Sequence, residues 1–285
     1  MNPIVAARLL RKRLRRLGAG PELSRRRLAR FAAGARPIPL TGAPATLAVV
    51  IASYGHGPYV ETMLRSVASQ TWPPDEIVIV DDHSPDGSGE TFRRLIEERP
   101  VEDRGRWHLL ANDRTMGQSA SLNRGIEVSS SELLMILNAD DYLMHDAVST
   151  VIGLFAAHPE LALIGATAVA FDTDEDLAAA GTSIADRTGG AEPALGIRQP
   201  AAVASYRTPL DLNMTHSGST FRREAWKAVG GYTVDPKARV SRYDDRDFQL
   251  RVNALYPVGV ASDVPFSFWR RGTSIRRNRR DVGEA

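Results

Sequence analysis

This chain predicts an α/β fold, a mostly parallel central sheet with helices on both faces, and three observations carry that prediction. Short apolar runs of strand length alternate with segments of helical periodicity from residue 47 onward. The joints between them are short, as in successive strand–helix–strand units. Three of the runs end in polar residues, Ser53-Tyr54, Asp81-Asp82 and Asn138-Ala139-Asp140-Asp141. Parallel neighbouring strands would bring those ends to one crevice at the carboxyl edge of the sheet, where open α/β folds bind ligands.

The composition permits such a body. The 285 residues are 43% hydrophobic and 25% charged, an ordinary globular balance that suits one large or two small domains. The absence of cysteine excludes disulfides, thiolate metal sites and a Cys nucleophile, and it fits a reducing compartment. No apolar run reaches the roughly 18 residues that span a bilayer. The basic start is not followed by the apolar core of a secretory signal. A cytoplasmic protein is therefore expected.

Charge is unevenly distributed. Residues 1–40 hold eleven of the 36 Lys+Arg and only one of the 34 Asp+Glu, so the remaining body is mildly acidic. These residues read as a basic arm and linker. Leu10, Leu14 and Leu17 recur at helical spacing, Leu28 and Phe31 continue as a second short helix, and Arg36-Pro37-Ile38-Pro39-Leu40 is extended. The arm is either a solvated extension or a peripheral contact with the inner face of an anionic membrane. No stacking aromatics are interleaved with its arginines, which argues against nucleic acid. The main domain is expected over 41–275, and a short basic tail, 276–285, closes the chain.

The elements follow in order. Residues 47–52 form a buried strand. Residues 59–69 form a helix with Val60, Met63, Leu64 and Val67 on one face, stopped at Trp72-Pro73-Pro74. Residues 76–80 are the second strand, 89–98 a helix, 107–110 a short strand and 119–128 a third helix. The strand over 133–137 carries the Asp140-Asp141 pair. Residues 146–157 are helical and 161–171 extended. Residues 172–210 lack periodicity and read as a variable excursion fit for an acceptor or a lid. A short helix over 224–229 stops at Gly230-Gly231. The helix over 244–254 has an acidic first turn, and a late strand over 264–269 precedes Arg270-Arg271.

Adjacent carboxylates at a strand end are hard oxygen ligands, suited to Mg²⁺ or Mn²⁺ and so to a diphosphate. Their structural alternative is capping of the helix that begins near Asp146. For Asp81 and Asp82 the alternative is turn formation, which suits Asp86 better.

Several separated motifs together resemble the family 2 inverting glycosyltransferases, built on the GT-A (Rossmann-like) fold, from about residue 47 to about residue 274. They are V-V-I-A-S-Y-G with Tyr59, S-V-A-S-Q-T-W-P-P-D-E-I-V-I-V-D-D-H-S-P-D-G-S, G-Q-S-A-S-L-N-R-G-I, L-N-A-D-D, F-R-R-E-A-W-K-A-V-G-G-Y and D-D-R-D-F-Q-L-R. The resemblance implies transfer of a sugar from a nucleotide-sugar donor to a glycan or lipid-linked acceptor. Ser53, Tyr54 and Asp82, with Asp81 beside them, would contact the nucleoside. Asp140 would bind the cation, Mn²⁺ or Mg²⁺, that bridges the diphosphate, and Asp141 would position it or touch the sugar. Asp245 would be the general base, with Asp244 or Asp247 able to substitute; helix capping is the competing role. Arg270 and Arg271 would clamp the diphosphate, or are surface charge.

Two departures stand out. The family usually begins the metal motif with Asp, where this chain has Asn138, a donor-contacting position. The family often adds a His after the last strand, where this chain has Gly272-Thr273. Asn138 leaves open a non-catalytic sugar-nucleotide-binding protein. A sugar-nucleotide-forming nucleotidyltransferase is disfavoured, because the loop after the first strand, Ser53-Tyr54-Gly55-His56-Gly57, has no Lys or Arg. No G-x-G-x-x-G follows a strand, which disfavours a dinucleotide oxidoreductase. His216, near the excursion, could contact acceptor or metal, although a lone histidine is more often structural.

Overall fold

The computed structural model describes residues 28–173, 183–200, 212, 214–234, 244–271 and 273. The distal arm, about half of the expected excursion (174–182 and 201–210) and the C-terminal tail lie outside the described residues. One sheet has the strand order β3-β2-β1-β4-β8-β6-β9-β5, with β7 paired to β9. The first half supplies β1 (Leu47–Ser53), α1 (Val60–Ala68), β2 (Glu76–Asp81), α2 (Ser88–Glu97), a single turn α3 (Val101–Arg104), β3 (Trp107–Ala111), α4 (Gln118–Val128) and β4 (Leu133–Asn138). The second supplies β5 (Tyr142–Leu143), α5 (Ala147–Ala157), β6 (Leu163–Phe171), α6 (Ile184–Thr188), β7 (Gly196–Arg198), β8 (Thr220–Arg222), α7 (Arg223–Val229), α8 (Asp244–Leu255) and β9 (Val258–Arg270).

Strands β1 to β4 are mutually parallel, and β6 runs parallel to β9. Alternation along β1 explains the layers. Leu47, Val49 and Ile51 face α1 and α5, while Ala48, Val50 and Ala52 face α4 and α8. Every residue of β1 is buried, as expected of a central parallel strand covered on both sides. Helix α4 lies so close that a Cβ at Gly125 would come within 2.9 Å of Val50 Cγ1.

Several elements depart from expectation, among them α3, β7 and β8, which the sequence did not suggest. Strand β9 begins at Val258, not near 264, because Val258 to Ala261 pair with β6 and β7. Exposed Ser262 and Asp263 interrupt the apolar pattern there, and a register shift absorbs them. Strand β5 and helix α6 are too short for any periodicity to reveal; β5 exists because Tyr142 and Leu143 pair with Phe268 and Ser267. Asp146 holds the N-cap position of α5, yet its carboxylate accepts from Ile184 N–H at 2.7 Å, Ala185 N–H at 2.9 Å and the Ser183 hydroxyl at 2.8 Å. It caps α6, a helix far away in sequence.

The folded body also reaches back beyond residue 41. Residues 28–34 are helical, and Leu28, Phe31 and Leu40 join the apolar layer under α8. Tyr256 closes the linker by donating to Ile38 C=O at 2.9 Å and accepting from Ile38 N–H at 2.6 Å.

Arg222, 1% exposed, shows how the F-R-R segment works. It donates to the carbonyls of Leu161 (3.0 Å), Gly42 (3.0 Å), Thr41 (3.4 Å) and Pro159 (2.9 Å). Arg223 reaches Ile126 C=O at 2.9 Å and Ser131 C=O at 2.7 Å, covering the C-terminal end of α4. Truncation of Arg222 to Ala leaves those carbonyls without a donor, and the expected loss is roughly 2–4 kcal/mol by urea denaturation. Arg94→Ala, which removes only an exposed pair with Glu98, should leave the midpoint nearly unchanged.

Candidate active site

The parallel register brings the polar strand ends level. Ser53 pairs with Asp81 across β1–β2, and Ala52 pairs with Asn138 across β1–β4. Ser53, Asp81, Asn138 and the Asp140-Asp141 turn therefore share one sheet edge. Successive residues point to opposite faces, so Asp81 and Asp82 part company. Asp81 lines a cavity of about 580 Å³ with Gly87, Gly89, Trp107 and Leu109, between α2 and β3. Asp82 turns the other way. Its carboxylate accepts from Asn112 Nδ2 (2.6 Å), Met116 N–H (2.7 Å), Ser121 Oγ (3.0 Å) and Gly117 N–H (2.8 Å). The expected nucleoside contact at Asp82 thus meets a carboxylate already occupied in holding the loop that enters α4, where the helix dipole also favours it.

The loop after β1 is bound to the same turn. Asp86 accepts from Gly57 N–H at 2.8 Å, and Ser84 Oγ from Gly55 N–H at 3.1 Å. Tyr54 is buried, and its N–H donates to His56 Nδ1 at 3.3 Å, which puts the imidazole proton on Nε2. Burial lowers the His56 pKa against the opposing pull of Asp140 and Asp86.

The two carboxylates of the L-N-A-D-D motif have different surroundings. Asp141 is 1% exposed and accepts from Arg270 N–H (3.1 Å), Ser217 Oγ (2.5 Å) and Asn138 Nδ2 (3.1 Å). Burial, and then the charge of Asp140, push its pKa up to about 7. Asp140 is only half-buried; one of its oxygens accepts from Thr273 Oγ1. Thr273 stands in the region where a His is often found in this kind of sequence. A divalent cation fits here. One open carboxylate plus phosphate oxygens is a usual set for Mg²⁺, and a cation would relieve the repulsion that raises Asp141. Among the described residues there is no cluster of three or more carboxylate or imidazole ligands.

The two candidate arginines differ. Arg270 is 8% exposed, its guanidinium 4.6 Å from the ring centres of both Tyr59 and Phe171, and it donates to Tyr142 OH. Arg271 is exposed and pairs with Asp172 at 2.9 Å.

The remaining candidate carboxylates stand at the start of α8. Among its three acids, Asp247 is committed: Arg251 Nε donates to it at 2.9 Å and Thr233 Oγ1 at 2.8 Å. Nothing is described of the Asp244 side chain. Asp245 lies near enough to His216 and Tyr232 to raise the pKa of each, although burial, the larger effect at both, lowers His216 and raises Tyr232. His216 Nε2 meets Tyr232 OH at 3.0 Å, and His216 Nδ1 meets Asn138 Oδ1 at 3.2 Å. Asn138 Nδ2 then reaches Asp141. A continuous chain of contacts, Asp141–Asn138–His216–Tyr232, therefore links the L-N-A-D-D motif to two side chains that feel the charge of Asp245.

Tyr232 is positioned tightly. Asn123 of α4 accepts its N–H at 2.8 Å and donates to its C=O at 2.9 Å, and Phe248 stacks on its ring at 4.4 Å. Gly231 makes this possible with φ of 71° and no Cβ, which would lie 2.7 Å from Asn123 Oδ1. Gly231→Ala should both destabilise the fold and displace Tyr232; thermal melts and near-ultraviolet circular dichroism would register the two effects.

Sequence reasoning missed Gln118, Ser217, Tyr232 and Thr273, and gave His56 no task and His216 only a weak one. Their one signal is position, after β1, before β8, after α7, after β9 or at the start of α4; residue type alone marks none of them.

The fold and the acidic strand edge define the GT-A class. The structure superimposes on S. aureus TarS (residues 1–349, in complex with UDP-GlcNAc) with a TM-score of 0.56, 14% identity, and coverage of 80% of this chain and 59% of that one. It superimposes on the mannosyltransferase PcManGT from Pyrobaculum calidifontis, in complex with GDP-Man and Mn²⁺, with a TM-score of 0.52, 23% identity, and coverage of 94% and 70%. The model of glycosyl transferase family 2 matches residues 48–229, and the chain belongs to that family. Among curated relatives, an uncharacterized glycosyltransferase of Nostoc sp. is 31% identical over 109 residues, 38% of this chain and 32% of the relative. The GalNAc(5)-diNAcBac-PP-undecaprenol beta-1,3-glucosyltransferase of Campylobacter jejuni is 27% identical over 105 residues, 37% of this chain and 33% of the relative. The matched segment thus spans about a third of these relatives.

Proposed function

We propose that this protein transfers a hexose from a nucleoside-diphosphate donor to a hydroxyl acceptor, with inversion, aided by Mn²⁺ or Mg²⁺. The observation that carries the reading is the contact chain from Asp141 through Asn138 and His216 to Tyr232 beside Asp245. It supports a single cleft with a diphosphate-side carboxylate and an acceptor-side carboxylate on its two walls. Asp245 takes the proton of the acceptor hydroxyl as that oxygen attacks the anomeric carbon. The bond from the anomeric carbon to the diphosphate breaks on the opposite face, so one step inverts the centre. Asp140 would hold the cation, which supplies neutralisation of the charge growing on the leaving diphosphate. Ser53 and Tyr54 border the nucleoside, Asp141 fixes the Asp140 turn, and Arg270 lies behind it as the remaining candidate for the phosphates.

The neighbours' ligands, UDP-GlcNAc and GDP-Man with Mn²⁺, support a donor of this class. The name of the Campylobacter relative supports a lipid-linked glycan acceptor. The deciding experiment incubates the purified chain with a panel of nucleotide-sugars and each cation, and follows release of nucleoside diphosphate. Cation-dependent diphosphate release, with an inverted anomeric proton coupling in the product, is expected. Pyrophosphate release would instead indicate nucleotidyl transfer, and binding without turnover a non-catalytic protein, the reading Asn138 favours.

No helix among the described residues is long and apolar enough to cross a membrane. Peripheral contact through the basic arm is part of the proposal. Because Leu28 and Phe31 belong to the core, the arm is tested by deleting residues 1–27 only. That variant should keep its melting temperature and lose affinity for anionic vesicles; equal vesicle binding would remove the membrane contact.

A further inference from the structure

We propose that His216 is a positioning residue that turns Asn138 into a hydrogen-bond donor toward the sugar nucleotide, an inference that rests on the transferase reading above. The polarity follows from the contacts of the Asn138 amide. Its Nδ2 donates to Asp141 Oδ2 at 3.1 Å. The Asn138 carbonyl oxygen therefore faces Gln118 Nε2 at 3.0 Å and His216 Nδ1 at 3.2 Å. It has two lone pairs and meets two donors, so Nδ1 is the protonated nitrogen of His216. Nε2 is then an acceptor and takes the Tyr232 hydroxyl proton across 3.0 Å.

One amide N–H of Asn138 is left, on a half-buried side chain at the end of β4 beside Asp140. An aspartate at this position would offer only acceptors and would match a ligand hydroxyl acting as donor. Asn138, with its carbonyl tied back, offers an N–H and matches an acceptor oxygen of the ligand. The position thus reads its ligand with the opposite polarity, and His216 sets that polarity. The imidazole does not drift, because its partner Tyr232 is stacked on Phe248 and bracketed by Asn123. Phe248 lies one turn after Asp245 on α8, so the residue that orients Asn138 also borders the proposed base.

Histidine-selective ¹⁵N NMR of the full chain should find the His216 proton on Nδ1. In Asn138→Asp a carboxylate would replace the carbonyl, and because it can only accept, the His216 proton should remain on Nδ1. Calorimetry with UDP and GDP in Mn²⁺ gives the second readout. His216→Ala should bind about tenfold more weakly than wild type. His216→Asn, which keeps an N–H donor at the Nδ1 position, should stay within about threefold. A proton on Nε2 in the wild type overturns the proposal, as does wild-type affinity in His216→Ala. If the wild type binds neither nucleotide, the transferase reading fails separately, and the tautomer alone decides the polarity of Asn138. The tautomer likewise decides if His216→Ala does not fold.

Discussion

Asp245→Asn should abolish transfer while leaving the affinity for nucleoside diphosphate near that of the wild type. The side chain keeps its shape and loses its basicity, so the change falls on the proton transfer. A positioned general base contributes roughly 10²- to 10⁴-fold, and kcat should fall by about that factor with little change in the donor KM. The neighbouring acid makes an internal control. Asp247→Asn weakens the buried pair with Arg251, which also holds Val229 C=O at 2.6 Å just before the Gly230-Gly231 turn. That variant should lose stability first and activity only as the fold loosens. Steady-state kinetics and thermal melts on both variants separate the roles. Normal turnover in Asp245→Asn would remove it as base, and an equal loss of melting temperature in both would reduce Asp245 to a structural acid.

The second large effect is expected at Asp140→Ala: cation-dependent nucleotide binding should be lost. Titration calorimetry of UDP and GDP, with and without Mn²⁺, reads this directly. An unchanged dependence on Mn²⁺ would move the ligand elsewhere. The same substitution carries a stability signature of opposite sign. Asp141 is raised to about 7 in the folded chain, by burial and then by Asp140. An unfolded Asp titrates near about 4, so the folded state holds the extra proton between these values. Stability contributed by this group therefore falls as pH rises from about 4 to about 7, and the penalty is fully present above that. Removing Asp140 lowers the Asp141 pKa and relieves part of the penalty. In chelator at pH 8, Asp140→Ala should melt no lower than the wild type despite the lost Thr273 contact. A substantial drop would mean that Asp140 holds the fold together more than it serves a ligand. A functional carboxylate that weakens its own fold is the usual trade at such sites.

How much of this was legible depended on the distance over which each feature is decided. The run at 133–137 and the pair after it could be read as a strand ending in charge. The level alignment of Asn138 with Ala52 needed strand pairing, though an alternating pattern with short joints made it the expected outcome. The three acids at the start of α8 looked interchangeable. Only packing separated Asp247, bound to Arg251 and Thr233, from Asp245 beside Tyr232. Asp81 and Asp82 looked like a matched pair, yet strand alternation sent one toward a cavity and the other into the α4 loop. Arg270 and Arg271 were separated by the same alternation, one under aromatic rings and one on the surface. Asn138 was visible as a departure from the family pattern, but its consequence was not, because nothing in the sequence joined it to His216, which was read only as a contact for acceptor or metal.

The order of strands and helices, the acidic strand ends and the family all follow from the sequence by itself, because periodicity and residue type are encoded in windows of a few residues. The tertiary structure alone decided which carboxylates are held by neighbouring donors, that Asp247 of α8 is paired with Arg251 and Thr233, and which groups the Asn138 amide meets. Those properties depend on partners such as Ser217 and His216, which stand 76 and 78 positions from Asp141 and Asn138. A hydrogen bond has a direction, and it is fixed only when both of its ends have been brought together.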